Sequence, residues 1–309
     1  MNWSRRHLLS IEELSKEEID HILENAFSFK EVLLRPIKKV PALRGKTVVN
    51  LFFEPSTRTL ISFSLAEKHL SADSVNVSTS SSSVKKGETL LDTAKNIESM
   101  KTDMVVIRHN SAGAAKFLAE RLDSNVINAG DGTHEHPTQA LLDFMTIKEI
   151  HKDFRNLKVL ILGDILHSRV ARSLLWGFMK YKTKVTLCAP PTLMPMYLND
   201  FGVEVEYDID KAIKDKDVIY ILRMQLERQE KGLFPSLREY IKDYSMTYER
   251  FQSIKHRSII MHPGPINRGV ELDGTVADSD KSVILEQVTN GVAVRMAILY
   301  LLNGGKNNE

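Results

Sequence analysis

Residues 47–59 read TVVNLFFEPSTRT, and this stretch decides the fold. It begins as an apolar run from Val48 to Phe53 and ends in a hydroxyl-rich turn that carries Arg58 and leads into a helical pattern. A strand that ends at such a turn directs backbone N–H groups, hydroxyls and a guanidinium to one place, at the positive end of a helix dipole. The pattern predicts a phosphate site, although an ordinary serine cap followed by a solvated arginine explains these residues equally well in isolation.

Short apolar runs alternate with amphipathic helical patterns along the rest of the chain. Strands are predicted at residues 47–53, 74–77, 104–107, 126–129, 158–162, 184–189, 203–207, 218–222 and 258–261. Helices are predicted near residues 60–70, 90–100, 114–122, 137–150 and 281–302. This alternation predicts an α/β fold with two doubly wound parallel-sheet domains joined by helices.

Length and charge set the domain count and the class of partner. A chain of 309 residues with 42% hydrophobic content predicts two domains of about 150 residues, each with its own core. We place the first domain at residues 1–150 and the second at 151–280, with a C-terminal helix, 281–303, packing back on the first. The formal net charge of +2 creates no global field for nucleic acid or membrane, so any recognition of anions must be local.

Cysteine content and hydropathy predict a cytoplasmic protein. The single Cys188 excludes an internal disulfide and a cysteine-rich metal site, which fits a reducing cytosol. The first fifteen residues contain two arginines and turn acidic before the apolar segment of a signal peptide develops, so we expect no export. The best candidate for a membrane span, residues 292–302, is shorter than the required ~20 residues and contains Arg295.

Chemically active side chains follow the predicted strands. Ligands of parallel sheets bind beyond the carboxyl ends of the strands, so an enzyme is expected to carry its chemistry there. The segments in question are residues 56–59, 108–109, 130–139, 163–164 with Arg169, 223–225 and 262–265. Four of these segments contribute an arginine, and His136 and Gln139 lie on one turn of a predicted helix. The concentration indicates a site for an anionic ligand.

The sequence does not favour a catalytic metal, a covalent nucleophile or a dinucleotide-binding site. The i, i+2 spacing of His134 and His136 does not suit the i, i+4 zinc pair of a helix. No Gly-x-Ser-x-Gly elbow accompanies the histidines, and Cys188 lies inside a predicted strand. Residues 159–164 resemble the start of a dinucleotide-binding fold but lack the second and third glycines of its fingerprint. We expect no metal, no cofactor and no covalent intermediate.

Seven short segments together resemble the catalytic chains of the aspartate/ornithine carbamoyltransferase superfamily, on its aspartate-specific branch. They run in order through nearly the whole chain: 53–59, Ser82 with 86–89, 108–109, 136–139, Arg169, Arg223 with Gln225, and 262–265. Each is short, but their joint occurrence in this order is specific. The resemblance implies transfer of the carbamoyl group of carbamoyl phosphate to L-aspartate, which gives N-carbamoyl-L-aspartate and phosphate in de novo pyrimidine (UMP) biosynthesis.

The resemblance also implies roles at the carbamoyl phosphate site. The phosphate is held by Ser56, Thr57, Arg58, Thr59 and Arg108. Donors to the carbonyl oxygen are Thr59, Arg108 and His136, and these with Arg58 are the implied catalytic residues. The carbamoyl NH₂ is held by Gln139 and by the backbone carbonyls of Gly264 and Pro265. An amine that attacks an activated carbonyl needs such a clamp on the leaving group and such donors for the oxyanion.

Aspartate carries two carboxylates, and guanidinium groups bind carboxylates bidentately. Arg169 and Arg223, with Gln225, are therefore the expected aspartate ligands, and the resemblance implies Lys86 as a further one. Ornithine would need acidic partners, and ornithine-specific relatives carry a cysteine at the His-Pro-Gly-Pro position, where residues 262–265 have none. Ornithine transfer is the runner-up, and a non-catalytic sensor of phosphate ligands on the same two-lobed scaffold is the alternative from another class. Turnover of carbamoyl phosphate distinguishes the sensor from the enzymes.

The implied assembly is a homotrimer with shared active sites at the subunit boundaries. Ser82 and Lys86 are expected to reach from one subunit into the active site of its neighbour. Without the resemblance, the serine-rich segment 80–88 would be taken for a solvated loop. The sequence leaves open whether the trimer works alone, forms a hexamer with regulatory chains or docks onto dihydroorotase.

Two further expectations concern the neighbourhood of the phosphate turn. By resemblance, Glu54 braces Arg169. Residues 60–64 depart from the family pattern, because many relatives have an arginine and a glutamate in this helix. These positions lie beyond the turn, so we expect altered helix packing or subunit pairing and no loss of chemistry.

Overall fold

The computed structural model describes residues 3–78, 87–196, 198–225 and 236–304. The chain forms two compact units, Met1–Met145 with Thr289–Glu309, and Thr146–Val288. Each unit is built around one parallel sheet with helices between its strands. The predicted α/β class with two parallel-sheet domains is confirmed.

The regular elements of the described residues alternate as the sequence indicates. The strands are β1 (Thr47–Phe52), β2 (Asp73–Ser78), β3 (Met104–His109), β4 (Asn125–Asp131), β5 (Lys158–Leu162), β6 (Lys184–Cys188), β7 (Glu204–Glu206), β8 (Val218–Ile221) and β9 (Ile259–Met261). The helices are α1 (Lys16–Leu33), α2 (Thr57–His69), α3 (Leu90–Ser99), α4 (Ala114–Ala119), α5 (Pro137–His151), α6 (Arg169–Tyr181), α7 (Ile209–Ala212), α8 (Leu237–Tyr244), α9 (Tyr248–Gln252), α10 (Gly274–Ala277) and α11 (Ile284–Gly304). Two 3₁₀ helices add Pro191–Leu193 and Leu198–Phe201.

Strand order places the candidate site residues of each unit at one edge of its sheet. The first sheet has the order β2-β1-β3-β4 and the second the order β7-β6-β5-β8-β9, with every pairing parallel. The order reverses between β1 and β3 in the first sheet and between β5 and β8 in the second. Doubly wound sheets bind ligands at such reversal points, beyond the carboxyl ends of the strands.

The central strands are apolar runs because helices cover both faces of the sheet there. β3 and β8 are buried along almost their whole length, and the runs Val105–Ile107 and Ile219–Ile221 contribute to the two cores. Parallel strands covered by helices on both faces have this continuous pattern, whereas half-exposed strands alternate. No helix in the described part of the chain has both the length and the apolar character that crossing a membrane requires.

Two helix starts differ from the sequence-based expectation. α2 begins at Thr57, three residues earlier than predicted, so the hydroxyl-rich turn is itself the first turn of the helix. α11 begins at Ile284, later than the predicted residue 281, because Ser282 forms a parallel bridge with Ile260. Ile260 donates its N–H to Lys281 and accepts one from Val283, which keeps residues 281–283 extended beside β9.

A buried polar cluster joins α2 to the first sheet. The Glu67 side chain of α2 is fully buried and accepts hydrogen bonds from Asn50 Nδ2 of β1, at 3.0 Å to each carboxylate oxygen, and from Ser74 Oγ of β2. Asn50 Nδ2 and Ser64 Oγ both donate to Asn76 Oδ1, at 2.9 and 3.1 Å. Burial raises the pKa of Glu67 from its ordinary value of 4.5 to about 7, although the bonds from Ser74 and Asn50 lower it. These hydrogen bonds thus anchor α2 to β1 and β2.

Candidate active site

The N-terminus of α2 lacks the side-chain cap that most helices of this protein have. Seven helices in the described residues begin after a Ser, Thr or Asp whose side chain accepts a hydrogen bond from the first turn. Ser56 stands at the same position before α2, yet its side chain makes no capping bond to the described helix. Its Oγ donates instead to Thr59 Oγ1 at 2.9 Å. The first turn of α2 can therefore offer its N–H groups to an anion, as helix N-termini at phosphate sites do.

Side chains of this turn differ in exposure in a way that suits a ligand site. Thr57 and Arg58 are exposed, Ser56 is half-buried and Thr59 is buried. An exposed guanidinium and a buried hydroxyl on one helical turn can enclose a phosphate from two sides.

Arg108 is held at the carboxyl ends of three neighbouring strands. Its Nη2 donates to Glu54 Oε1 at 2.7 Å, just after β1, and its Nη1 donates to the Ala129 carbonyl of β4 at 3.2 Å. The side chain is largely buried, so this charge-assisted bond holds the guanidinium in one orientation beside the turn that starts α2. The expected brace between Glu54 and Arg169 stays a prediction.

The turn between β4 and α5 is organised by Asp131. This carboxylate accepts from Asn128 Nδ2 at 2.8 Å, from the Gly113 N–H at 2.7 Å and from the Glu135 N–H at 3.2 Å, and it contacts His134 Nδ1 at 3.1 Å. Burial raises the pKa of Asp131, but its hydrogen bonds with His134, Asn128 and Gly113 outweigh burial and leave the pKa below its ordinary value. The carboxylate stays charged at neutral pH and holds the turn that leads into His136.

Glycine is required in this turn. Gly132 has a φ of +52°, and a Cβ at this position would lie 2.7 Å from the Ala112 nitrogen. Only glycine adopts this backbone at such close approach without displacing a neighbour. His136 is buried immediately before α5, and Gln139 is half-buried in the first turn of this helix, where its N–H donates to the His136 carbonyl at 3.0 Å.

Glu12, His134 and Glu135 bring one ligand atom each within 4.8 Å of one another, as a metal site would. The two Glu135 carboxylate oxygens accept from the Ile11 N–H at 2.8 Å and from the Glu12 N–H at 3.2 Å. His134 contacts Asp131. These contacts explain the group as part of the framework that supports the turn before His136.

The second unit presents Arg169 and the segment 223–225 from neighbouring strands. Arg169 is buried and is the first residue of α6, which Ser168 caps by accepting from the Ala171 N–H at 3.1 Å. Asp164 follows β5 and is fully buried; one of its oxygens lies 2.8 Å from His167 Nδ1, and the other accepts from the Gln225 N–H at 3.4 Å. Asp164 therefore connects the loop before Arg169 to the strand end that carries Gln225.

The turn after β9 is held by a buried histidine and glutamate. The Gly264 N–H donates to His262 Nδ1 at 2.8 Å, so this nitrogen is an acceptor without a proton. The proton of the neutral ring then lies on Nε2, which donates to Glu271 Oε1 at 3.1 Å. Glu271 also accepts from the Asn267 N–H at 2.6 Å. The backbone of Gly264, with a φ of +62°, and of Pro265 is held by these contacts, and the peptide bond between them is cis.

Comparison with known proteins identifies the relatives of this architecture. Residues 6–149 match the carbamoyl-phosphate-binding domain of aspartate/ornithine carbamoyltransferases, and residues 155–302 match the Asp/Orn-binding domain of the same proteins. The chain belongs to the aspartate/ornithine carbamoyltransferase family. The family resemblance predicted from the sequence is confirmed.

Relatives from both branches of the carbamoyltransferase family cover nearly the whole chain. The aspartate carbamoyltransferase catalytic subunit of Halothermothrix orenii is 55% identical over 100% of this chain and 99% of its own length, and that of Gemmatimonas aurantiaca is 56% identical over 97% and 94%. Aspartate transcarbamoylase of Trypanosoma cruzi, solved with carbamoyl phosphate and aspartate, matches with 31% identity and a TM-score of 0.87 over 95% of both chains. Ornithine carbamoyltransferase of Pyrococcus furiosus matches with 30% identity and a TM-score of 0.86 over 99% of both chains.

Within this carbamoyltransferase chain, the predicted residues lie after adjacent strands. The segments 56–59, 108–109 and 130–139 lie at or just beyond the carboxyl ends of β1, β3 and β4, and the segments around Arg169, 223–225 and 262–265 come after β5, β8 and β9. Ser82 and Lys86 lie outside the described residues.

Sequence reasoning missed the acids Glu271 and Asp143, and it found Asp164 at a strand end without assigning its role. Each of the three hydrogen-bonds to a predicted site residue or to its turn. For Asp143 a signal existed, because it stands four residues after Gln139 in a predicted helix, where side chains meet. For Glu271 no local signal exists, because its partner His262 stands on a different turn of the chain.

Proposed function

We propose that the chain is an aspartate carbamoyltransferase of the cytoplasm. It transfers the carbamoyl group of carbamoyl phosphate to L-aspartate and releases N-carbamoyl-L-aspartate and phosphate, a step of de novo pyrimidine biosynthesis. One observation carries the proposal: in each parallel sheet, the predicted anion-binding and hydrogen-bonding side chains lie at or beyond the carboxyl ends of adjacent strands, which include the two strands that flank the reversal of strand order. The curated relatives at 55–56% identity carry the name of this activity.

The first unit binds carbamoyl phosphate in this proposal. The uncapped first turn of α2, with Ser56, Thr57, Arg58 and Thr59, and the oriented guanidinium of Arg108 hold the phosphate oxygens. Negative charge that moves onto the leaving phosphate during the reaction is stabilised by these donors, which are in place before the reaction begins. Catalysis then needs no covalent group of the protein.

The carbamoyl group itself is held by hydrogen-bond donors at its carbonyl oxygen and by acceptors at its NH₂ group. Thr59, Arg108 and His136 donate to the carbonyl oxygen, which becomes an oxyanion when the amine attacks. Gln139 and the carbonyls of Gly264 and Pro265 accept from the NH₂ group. The buried pair of His262 and Glu271 holds the backbone of the latter turn.

The second unit binds L-aspartate. Arg169 and Arg223 form charge-assisted hydrogen bonds to the two carboxylates, and Gln225 adds an amide. The neutral amine attacks the carbamoyl carbon, the C–O bond to phosphate breaks, and the amine proton leaves with the phosphate or to solvent. Ornithine has a cationic side chain that two guanidinium groups would repel, which favours aspartate.

A homotrimer with shared active sites completes the proposal. Ser82 and Lys86 of one subunit contribute to the site of the neighbour, where the lysine binds aspartate.

Turnover by the purified chain tests the function. We expect N-carbamoyl-L-aspartate to form from carbamoyl phosphate and L-aspartate, and Arg58→Ala to lower kcat by about a hundredfold or more. Arg44→Ala, which removes an exposed arginine of the same unit away from the strand ends, is the matched control and is expected to keep wild-type turnover. A wild-type chain that binds carbamoyl phosphate without turnover would instead be a sensor.

A further inference from the structure

The side-chain amide of Gln139 forms a hydrogen bond to a buried acid on the same helix. Gln139 Nε2 donates to Asp143 Oδ1 at 3.1 Å, one helical turn further along α5. Asp143 is fully buried, whereas Gln139 is half-buried, and the Gln139 N–H donates to the His136 carbonyl at 3.0 Å. The amide therefore has its NH₂ end in contact with a buried acid, and its other end is the acceptor oxygen Oε1.

Arg295 of α11 is a buried cation whose pKa the charge of Asp143 influences. Burial lowers the pKa of Arg295 to about 10, and the negative charge of Asp143 opposes this shift. Arg295 Nη1 also donates to Ser62 Oγ at 2.9 Å and to the Gly291 carbonyl at 3.0 Å. A Cβ at Gly291 would lie 2.6 Å from this Nη1, so glycine at this position makes room for the guanidinium.

An ionised carboxylate only accepts hydrogen bonds, whereas an amide has a donor end and an acceptor end. Asp143 accepts a hydrogen bond from the NH₂ of Gln139, so the acceptor Oε1 is the end of the amide that a ligand donor can use. We propose that Asp143 is a positioning residue that sets the Gln139 amide to accept from the NH₂ of carbamoyl phosphate, so that the site distinguishes a carbamoyl from an acetyl group. This inference rests on the proposed function.

Acetyl phosphate is a direct probe of this role. It has the phosphate and the carbonyl of carbamoyl phosphate, but a methyl group replaces the NH₂ and donates no hydrogen bond. An acceptor at Gln139 Oε1 stabilises only the carbamoyl ligand. If the amide turns, its NH₂ faces the NH₂ of carbamoyl phosphate, two donors meet, and the preference for the carbamoyl ligand is lost.

Calorimetric titration of the full chain with carbamoyl phosphate, acetyl phosphate and inorganic phosphate tests the inference. Asp143→Asn keeps the shape of the side chain but can donate to Gln139, which lets the amide turn. We expect its affinity for carbamoyl phosphate to fall about tenfold, while affinities for acetyl phosphate and inorganic phosphate stay within about twofold of the wild type. Asp123→Asn, at an exposed position of the same unit, is the matched control and should change none of the three.

A second variant is the control for misfolding that an unpaired buried charge would cause. Asp143→Asn combined with Arg295→Met removes both charges together, and the same selective loss is expected. In a Gln139→Leu background, Asp143→Asn should add little further loss, because both changes remove the same acceptor.

Equal loss of carbamoyl and acetyl phosphate affinity would show a merely structural role for Asp143 and overturn the inference. An unchanged preference for carbamoyl phosphate in Asp143→Asn would overturn it as well. Either result leaves the proposed function standing if the wild-type chain carbamoylates L-aspartate. Failure of the proposed function is recognised separately, by a wild-type chain that forms no carbamoyl-aspartate.

Discussion

Replacement of Glu67 by glutamine is expected to change the pH dependence of stability. The carboxyl group is fully buried between α2, β1 and β2, and its pKa in the folded chain is about 7, against 4.5 ordinarily, because burial disfavours the charged form. The folded chain therefore keeps a proton on Glu67 at pH values where the unfolded chain has released it. The stability that this group contributes is fully present below about pH 4.5 and is lost as the pH rises through about 7.

The two pKa values set the size of the effect. A difference of about 2.5 between them corresponds to about 3 kcal/mol in the free energy of unfolding. Glutamine has the shape of the neutral acid and does not titrate. Glu67→Gln should therefore become more stable relative to the wild type by about 3 kcal/mol between about pH 4 and about pH 8.

Urea unfolding of both proteins across this pH range measures the difference, in which the other titrating groups cancel. Glu17→Gln changes an exposed acid on α1 and is the control; its difference from the wild type should not depend on pH in the same way. A gap between Glu67→Gln and the wild type that stays constant with pH would refute the reasoning, because Glu67 would then titrate alike in the folded and unfolded chains.

Three further predictions concern the active site. Arg169→Ala or Arg223→Ala should weaken aspartate binding by about 2–3 kcal/mol and leave carbamoyl phosphate binding nearly intact; equal losses in calorimetric titrations of both ligands would contradict this division. His136→Ala should lower kcat by about a hundredfold or more with a modest change in the KM for aspartate, and an unchanged kcat in steady-state assays would make His136 a structural histidine. Unfolding and refolding Lys86→Ala and His136→Ala together should restore activity well above either parent, because some interfaces of mixed trimers combine an intact lysine with an intact histidine. Mixed trimers that form but stay as inactive as their parents would place Lys86 in the site of its own subunit.

Strands and site arginines could be predicted because both depend on local pattern and topology. β5 was predicted with its observed bounds, since a strand covered on both faces is a continuous apolar run. Arg108 and Arg223 could be recognised because each stands at the carboxyl end of a predicted parallel strand, where ligands bind.

The remaining features depend on contacts between distant segments. The start of α11 could not be predicted, because residues 281–283 are extended only through their pairing with Ile260. The role of Glu271 depends on where a separate turn places His262. The missing cap at Ser56 was also hidden, since serine before a helix ordinarily caps it, and only the structure shows its Oγ turned to Thr59.

Competition between two amines tests the central claim most directly. The purified chain is given isotopically labelled carbamoyl phosphate together with equal concentrations of L-aspartate and L-ornithine, and the products are identified by mass spectrometry. The account predicts that the label appears in N-carbamoyl-L-aspartate, because Arg169 and Arg223 attract two carboxylates and repel a cationic side chain. Label in citrulline would contradict the assignment to aspartate, and label in neither product would contradict carbamoyl transfer itself.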